Sequence, residues 1–213
     1  MITQLLIVSN VLIFILQFAA MHRGFSLVEE FGLVPRRIAF AMGHPSVPGA
    51  SLVLLTPFTS MFLHGSFLHL ASNMWFLHVF GDNVEDTLGR FRYLVFYVLC
   101  GLCAAATQSL VDIQSAIPMI GASGAISGVL AAYLLLYPKA RVLTVVPIFI
   151  FLQFVELPAY VFIFVWALIQ GLMAWLSSSA DNGGGVAWFA HIGGFVGGAL
   201  LLWVTTSRSR PRR

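Results

Sequence analysis

An all-helical bundle embedded in a membrane is the fold class this chain predicts, and three observations predict it. Hydrophobic residues make up 59% of the 213 residues, charged residues only 9%, and the mean hydropathy is +0.93; a soluble domain carries about 25% charge. Six stretches approach the roughly 20 apolar residues that a helix needs to cross a bilayer: 2–20, 67–81, 91–110, 117–137, 159–177 and 186–206. The basic residues are unevenly spread. With six spans and the N-terminus inside, the inner segments hold Arg90, Arg92, Lys139, Arg141 and the four arginines of RSRPRR, while the outer segments hold only Arg23, Arg36 and Arg37. That imbalance predicts both termini on the cytoplasmic side.

Taken in order, the first span lacks a basic n-region and a convincing cleavage site, so it is kept as a helix and not as a signal peptide. Residues 21–62 form a long outer loop of Pro, Gly, Ser and large apolar residues. It is too apolar to float in water and is expected to lie partly in the membrane interface. The run 142–155 is apolar but only 14 residues long, with Pro147 inside and Glu156 and Pro158 near its end. Too short to span, it is read as a lead-in to the fifth helix. One membrane domain over 1–213 is expected, with no separate soluble module. Cys100 and Cys103 lie in an apolar run and read as small packing residues before a redox pair. The net charge of +3 resides largely in the terminal arginines, and no nucleic-acid partner is expected.

The second, fourth and sixth spans run from outside to inside, and their polar residues fall near their starts. These are His69 and Asn73, Ser123, and His191. Ser123 and His191 each come six residues after the assigned start, about 9 Å below the outer rim at ~1.5 Å per residue. His69 and Asn73, at i and i+4, share one helix face. Polar groups at membrane depth face the bundle interior or a water-filled cavity. The chemistry this set allows is nucleophilic catalysis. A serine hydroxyl attacks well only when a base takes its proton, and neutral histidine is the usual base. His69, Asn73 and the Ser123 N–H are donors for the oxyanion that follows. Asp112 and Asp181 lie in outer loops and read as solvated, so a Ser123–His191 dyad is expected and not a triad. Gly121 and Gly124 flank the serine.

Other readings of the same residues stand beside this one. Small residues at i, i+4, such as Gly124/Gly128 and Gly194/Gly198, commonly pack membrane helices. A lone intramembrane His often lines a pore. Yet His191, Gly194 and Gly198 fall at i, i+3, i+7, so close packing of the sixth span on the fourth would also bring imidazole to hydroxyl.

Four pieces then carry a resemblance: HGSFLHLASNMWFL (64–77), FGDNVEDTLGR (80–90), GASGAISG (121–128) and AHIGGFVGG (190–198). In type, order and spacing they resemble the rhomboid family of intramembrane serine proteases, over nearly the whole chain. The resemblance implies Ser123 as nucleophile, His191 as general base, His69 and Asn73 as oxyanion donors, and Gly121 as the first glycine of Gly-x-Ser-Gly. His64 and Glu85 match positions of structural use. It implies cleavage of membrane-spanning helices of other proteins, no metal or organic cofactor, and a lateral gate near the fifth helix, where Phe162, Phe164 and Trp166 face Trp75 and Phe76 as candidate closing groups. The compact core fits a bacterial inner membrane. Two positions depart from the common pattern. Ser127 stands where many relatives carry an aromatic ring against the catalytic His, and Leu55-Thr56 where many carry Trp-Arg. Two rival classes remain: a non-catalytic rhomboid-like binder of client helices, and a transporter or channel lined by His69, Asn73 and His191.

Overall fold

The computed structural model of the chain describes residues 1–148, 151–178 and 186–207; Asp181 and the arginine tail lie outside them. The chain is mostly helical. In order come α1 (Ile2–Met21), three short helices α2 (Leu27–Phe31), α3 (Pro35–Gly43) and α4 (Ala50–Thr59), a single 3-10 turn (Ser60–Phe62), α5 (Phe67–Leu88), α6 (Arg90–Val111), α7 (Ser123–Leu136), the strands β1 (Arg141–Ile148) and β2 (Phe151–Pro158), and then α8 (Ala159–Ser178) and α9 (Trp188–Ser207). Among the described residues, α1, α6, α8 and α9 are each long and apolar enough to cross a membrane. The segments Ala50–Phe62 and Phe67–Leu88 meet that test only jointly, bent by 77°. These helices make the chain an integral membrane protein.

Three expectations are corrected. The run 142–155 is no helical lead-in: β1 and β2 pair antiparallel, with Arg141 opposite Pro158 and Ile148 opposite Phe151, so the chain is not all-helical. Val142, Thr144, Val145, Val146 and Ile148 are β-branched, which favours a pleated strand over a helix. The fourth span is shorter than expected, since residues 117–122 are not helical and α7 has 14 residues. The second is longer, running seven residues past 81 to Leu88, because its polar end is spent on other helices. Glu85 there accepts from the backbone N–H groups of Ile2 and Thr3 at 2.8 Å each and from the Thr3 hydroxyl at 2.8 Å. A carboxylate thus satisfies the orphan N–H donors at the positive end of α1. At the other end of α1, Gln17 donates to the His64 carbonyl and accepts from the His64 N–H, at 3.1 and 3.0 Å. These two ties hold α1 antiparallel against α5. Gly89, at φ +78°, makes the tight turn from α5 into α6.

Lipid tails are as apolar as leucine, so burial alone does not hold membrane helices together; close backbone packing does. Here α9 carries two small-residue faces. A Cβ at Gly194 would fall on the Gly124 carbonyl, and one at Gly198 on the Gly128 backbone. A Cβ at Gly193 would meet the Thr107 side chain and one at Gly197 the Cys103 side chain. So α9 lies parallel to α7 on one face and against α6 on the other. Across the α6–α7 contact, Gly124 abuts Ala104 and Gly128 abuts Cys100, in antiparallel order. Both cysteines are unbridged and serve this packing. Tyr93, Tyr97, Phe80, Leu77 and Leu130 fill the centre and are fully buried.

Candidate active site

Three helices begin at one place. Ser123 is the first residue of α7, His191 the fourth of α9, and His69 the third of α5. A non-helical segment, residues 117–122, precedes α7, and the helix starts at the serine. That segment is fixed to the outer loop. Leu33 and Met119 exchange backbone hydrogen bonds of 3.1 and 2.7 Å, and the Gly121 N–H donates to the Ser60 carbonyl at 2.9 Å. Starting a helix at Ser123 leaves its first N–H groups without intrahelical acceptors, a ready site for negative charge.

His191 Nε2 lies 2.8 Å from Ser123 Oγ. The Gly124–Gly194 contact one turn along sets this approach. On the other side of the ring, His191 Nδ1 lies 2.7 Å from Gln170 Oε1 on α8. Both side chains are buried. Trp166 flanks the imidazole with ring centroids 6.1 Å apart and Trp188 meets it edge-on at 6.0 Å. These groups surround the ring where an aromatic at position 127 is missing. Ser127 itself is fully buried, and its hydroxyl donates to the Ser123 carbonyl at 2.7 Å. Gln170 escaped the sequence reading. Its only signal was that it is a lone amide inside an otherwise apolar span.

His69 is brought to the same place. Gly121 has φ +122°, and a methyl there would lie 2.8 Å from His69 Nε2 and 3.6 Å from Ser123 Oγ. Only glycine suits both the backbone angle and the approach. Asn73, one turn below His69, is buried, and its amide nitrogen has no protein partner among the described residues. His64 is buried beside His69, ring centroids 5.1 Å apart, and its backbone, not its ring, holds α1. Glu85 is remote from the serine and caps α1. Of the departures, Thr56 is buried and its hydroxyl donates to the Val53 carbonyl at 2.7 Å, while Leu55 is exposed.

Ser123, His191, His69 and Asn73 all line one cavity of about 1180 Å³. Its walls reach Asp112, Ser115 and Pro118 in the loop after α6, and Val186 before α9, so it leads from these helix ends to the serine. Among the gate candidates, Phe162 packs on Phe76 and Phe80 at 5.9 and 5.8 Å between centroids. Trp166 covers the imidazole, whereas Phe164 and Trp75 point outward, each about two-thirds exposed.

The family model for the Rhomboid domain matches residues 53–208. RHOMBOID-like protein 5 of Arabidopsis thaliana is 34% identical over 67% of this chain and 42% of its own length. Rhomboid-like protein 11, chloroplastic, of the same plant is 29% identical over 68% of this chain and 50% of its own length. Rhomboid protein 1, mitochondrial, of Saccharomyces cerevisiae is 28% identical over 72% and 42%. The chain spans half or less of the length of these relatives. As plant and yeast proteins they lend no support to a bacterial inner membrane. A family match over most of the chain, and a relative 34% identical across two-thirds of it, show that this protein belongs to the rhomboid family.

Proposed function

We propose that the protein is an intramembrane serine endopeptidase that hydrolyses peptide bonds in or near transmembrane helices of other proteins. One observation carries the reading: a serine hydroxyl 2.8 Å from a buried histidine nitrogen, on the wall of a cavity that also holds an amide donor without a protein partner among the described residues. His191 Nε2 takes the Ser123 proton as Oγ attacks the scissile carbonyl. The oxyanion receives the Ser123 N–H at the start of α7, together with His69 and Asn73. His191 then returns the proton to the leaving amine. Water, activated by the same imidazole, hydrolyses the acyl-enzyme. Gly121, Gly124, Gly194 and Gly198 support the site by close approach, and Glu85 and His64 by holding α1.

In this reading α1, α5, α6, α7, α8 and α9 form a single six-span domain with both termini cytoplasmic. The alternating helix directions support that arrangement. The site then opens to the outer face, and the bent α4–α5 junction lets the first outer loop lie in the interface. Substrates are transmembrane proteins, and no step calls for a metal.

The test uses purified protein in detergent with a generic transmembrane substrate and a fluorophosphonate probe. Wild type should cleave and be labelled at Ser123. Ser123→Ala should abolish both, and His191→Ala should collapse labelling; EDTA should change nothing. A binder or pore would be indifferent to losing one hydroxyl. Equal labelling of wild type and His191→Ala would sink the dyad.

A further inference from the structure

A neutral imidazole carries one hydrogen, on either nitrogen. To accept the Ser123 proton, Nε2 must hold the lone pair, so Nδ1 must hold the hydrogen. Something outside the Ser–His pair has to select that tautomer, as a carboxylate does in a full triad. Among the described residues no carboxylate hydrogen-bonds to the imidazole, and Asp112, which lines the same cavity, is exposed in the loop after α6. Gln170 Oε1 is 2.7 Å from Nδ1, and an amide oxygen only accepts. With Oε1 facing the ring, the contact needs a hydrogen on Nδ1, and that is the tautomer that leaves Nε2 free to act as base. Gln170 is also costly where it stands. It is 7% exposed, in a helix whose neighbours from Val161 to Met173 are otherwise apolar or glycine. An amide at membrane depth needs a partner, and this one has found the imidazole.

We propose that Gln170 is the positioning residue of the catalytic base, holding His191 in the Nδ1–H tautomer and aiming Nε2 at Ser123. The proposal rests on the protease reading above. A neutral amide orients the ring without supplying the charge of a carboxylate, so its loss should misdirect the base and leave the nucleophile and the oxyanion donors intact. Gln170 comes from α8, antiparallel to α9, with Trp166 one turn away against the same ring and against Phe195 at 6.0 Å. The orientation of the base thus depends on α8 staying seated on α9. Substrate entry must leave this part of α8 in place, or α8 must reseat before the chemical step.

The experiment compares wild type, Gln170→Leu, Gln170→Glu and Ser123→Ala of the 213-residue chain in lipid vesicles. It measures kcat and KM on a transmembrane substrate, the rate of fluorophosphonate labelling, and Tm. Leucine removes the acceptor at similar volume; glutamate keeps an acceptor oxygen at the same reach. In Gln170→Leu, kcat and labelling should fall about 10²-fold, the cost of a base misplaced by about 1 Å. KM should stay within about twofold and Tm should hold, since uniform binding is untouched. Gln170→Glu should recover kcat to within about tenfold of wild type, because an oxygen again accepts from Nδ1–H and orients the ring. Wild-type kcat in Gln170→Leu, a loss carried by KM alone, or a folded Gln170→Glu as slow as Gln170→Leu would each overturn the proposal. If Gln170→Leu does not fold, Gln170→Glu decides alone: folded and inactive, it overturns the assignment. Failure of the protease reading is separate: wild type would then show no cleavage or labelling that Ser123→Ala abolishes.

Discussion

Asn73 holds a buried amide nitrogen with no protein partner among the described residues, on the wall that also presents Ser123. In the proposed reaction this amide N–H is a donor that no other protein group ties up, placed to meet the oxyanion of the intermediate. Removing a single oxyanion donor typically slows turnover about 10²–10³-fold. Asn73→Ala should therefore lose about that much in kcat yet retain measurable cleavage, because the Ser123 N–H and His69 remain. A full wild-type rate in steady-state assays would take Asn73 out of the site. The residues named from sequence and those the geometry added differ in one respect. Ser123, His69, Asn73 and His191 are polar groups whose spacing along or between helix starts gave them a common depth. Gln170 has no such register, since its partner lies 21 residues on across a helix reversal. A rule that every intramembrane amide needs a partner would have marked it.

At the scale of elements, the face Gly194/Gly198 was legible because i, i+4 spacing puts both on one side of a helix. The adjoining face, Gly193/Gly197 against Thr107 and Cys103, follows the same spacing one residue back. It carries no polar group to draw attention to it. Helix ends were less legible. Hydropathy alone extends α7 back to residue 117, since Ile117, Met119 and Ile120 are apolar. The backbone there instead bonds to Leu33 and Ser60 in a loop about 60–90 residues earlier, a tertiary pairing that overrides local preference. The hairpin of β1 and β2 was missed for a related reason: an apolar run of that length has no distinct period by which to tell strand from helix. Packing predicts the consequence of filling the stripe. Gly198→Leu meets the Gly128 backbone, which cannot rotate away, so α9 must move off α7 and take His191 with it. Activity should fall about 10²-fold or more and Tm should drop, since a shift of about 1 Å at the base suffices. Gly43→Ala makes the contrast, because a methyl there meets open space, and both readouts should hold. Undiminished activity in Gly198→Leu would show that the α7–α9 contact does not position the base.

For the whole molecule, the protease reading raises the question of how a helix reaches a serine enclosed by helices. The rings divide the candidate gate in two. Phe162 on α8 closes against Phe76 and Phe80 on α5, while Trp166, one turn further on, belongs to the surroundings of His191. Loosening the gate without disturbing the base therefore means altering Phe162 and not Trp166. Phe162→Ala should raise the rate on a slowly cleaved substrate if entry limits turnover, whereas Trp166→Ala should lower it. Entry alone is insufficient. A carbonyl inside a helix is already hydrogen-bonded and shielded, so the substrate must unwind near the cut before Oγ attacks. Glycine and proline lower that cost by about 1 and 3 kcal/mol per residue relative to alanine. A substrate series in one host helix reads both effects. Replacing the Gly and Pro of a good substrate by Leu should abolish cleavage in wild type and in Phe162→Ala alike, because a wider gate does nothing for unwinding. If a uniformly Leu-rich helix is cut as fast as the Gly-containing one, substrate unwinding is not part of the reaction. If Phe162→Ala rescues the Leu-rich helix, the barrier lay at the α5–α8 contact and not in the substrate.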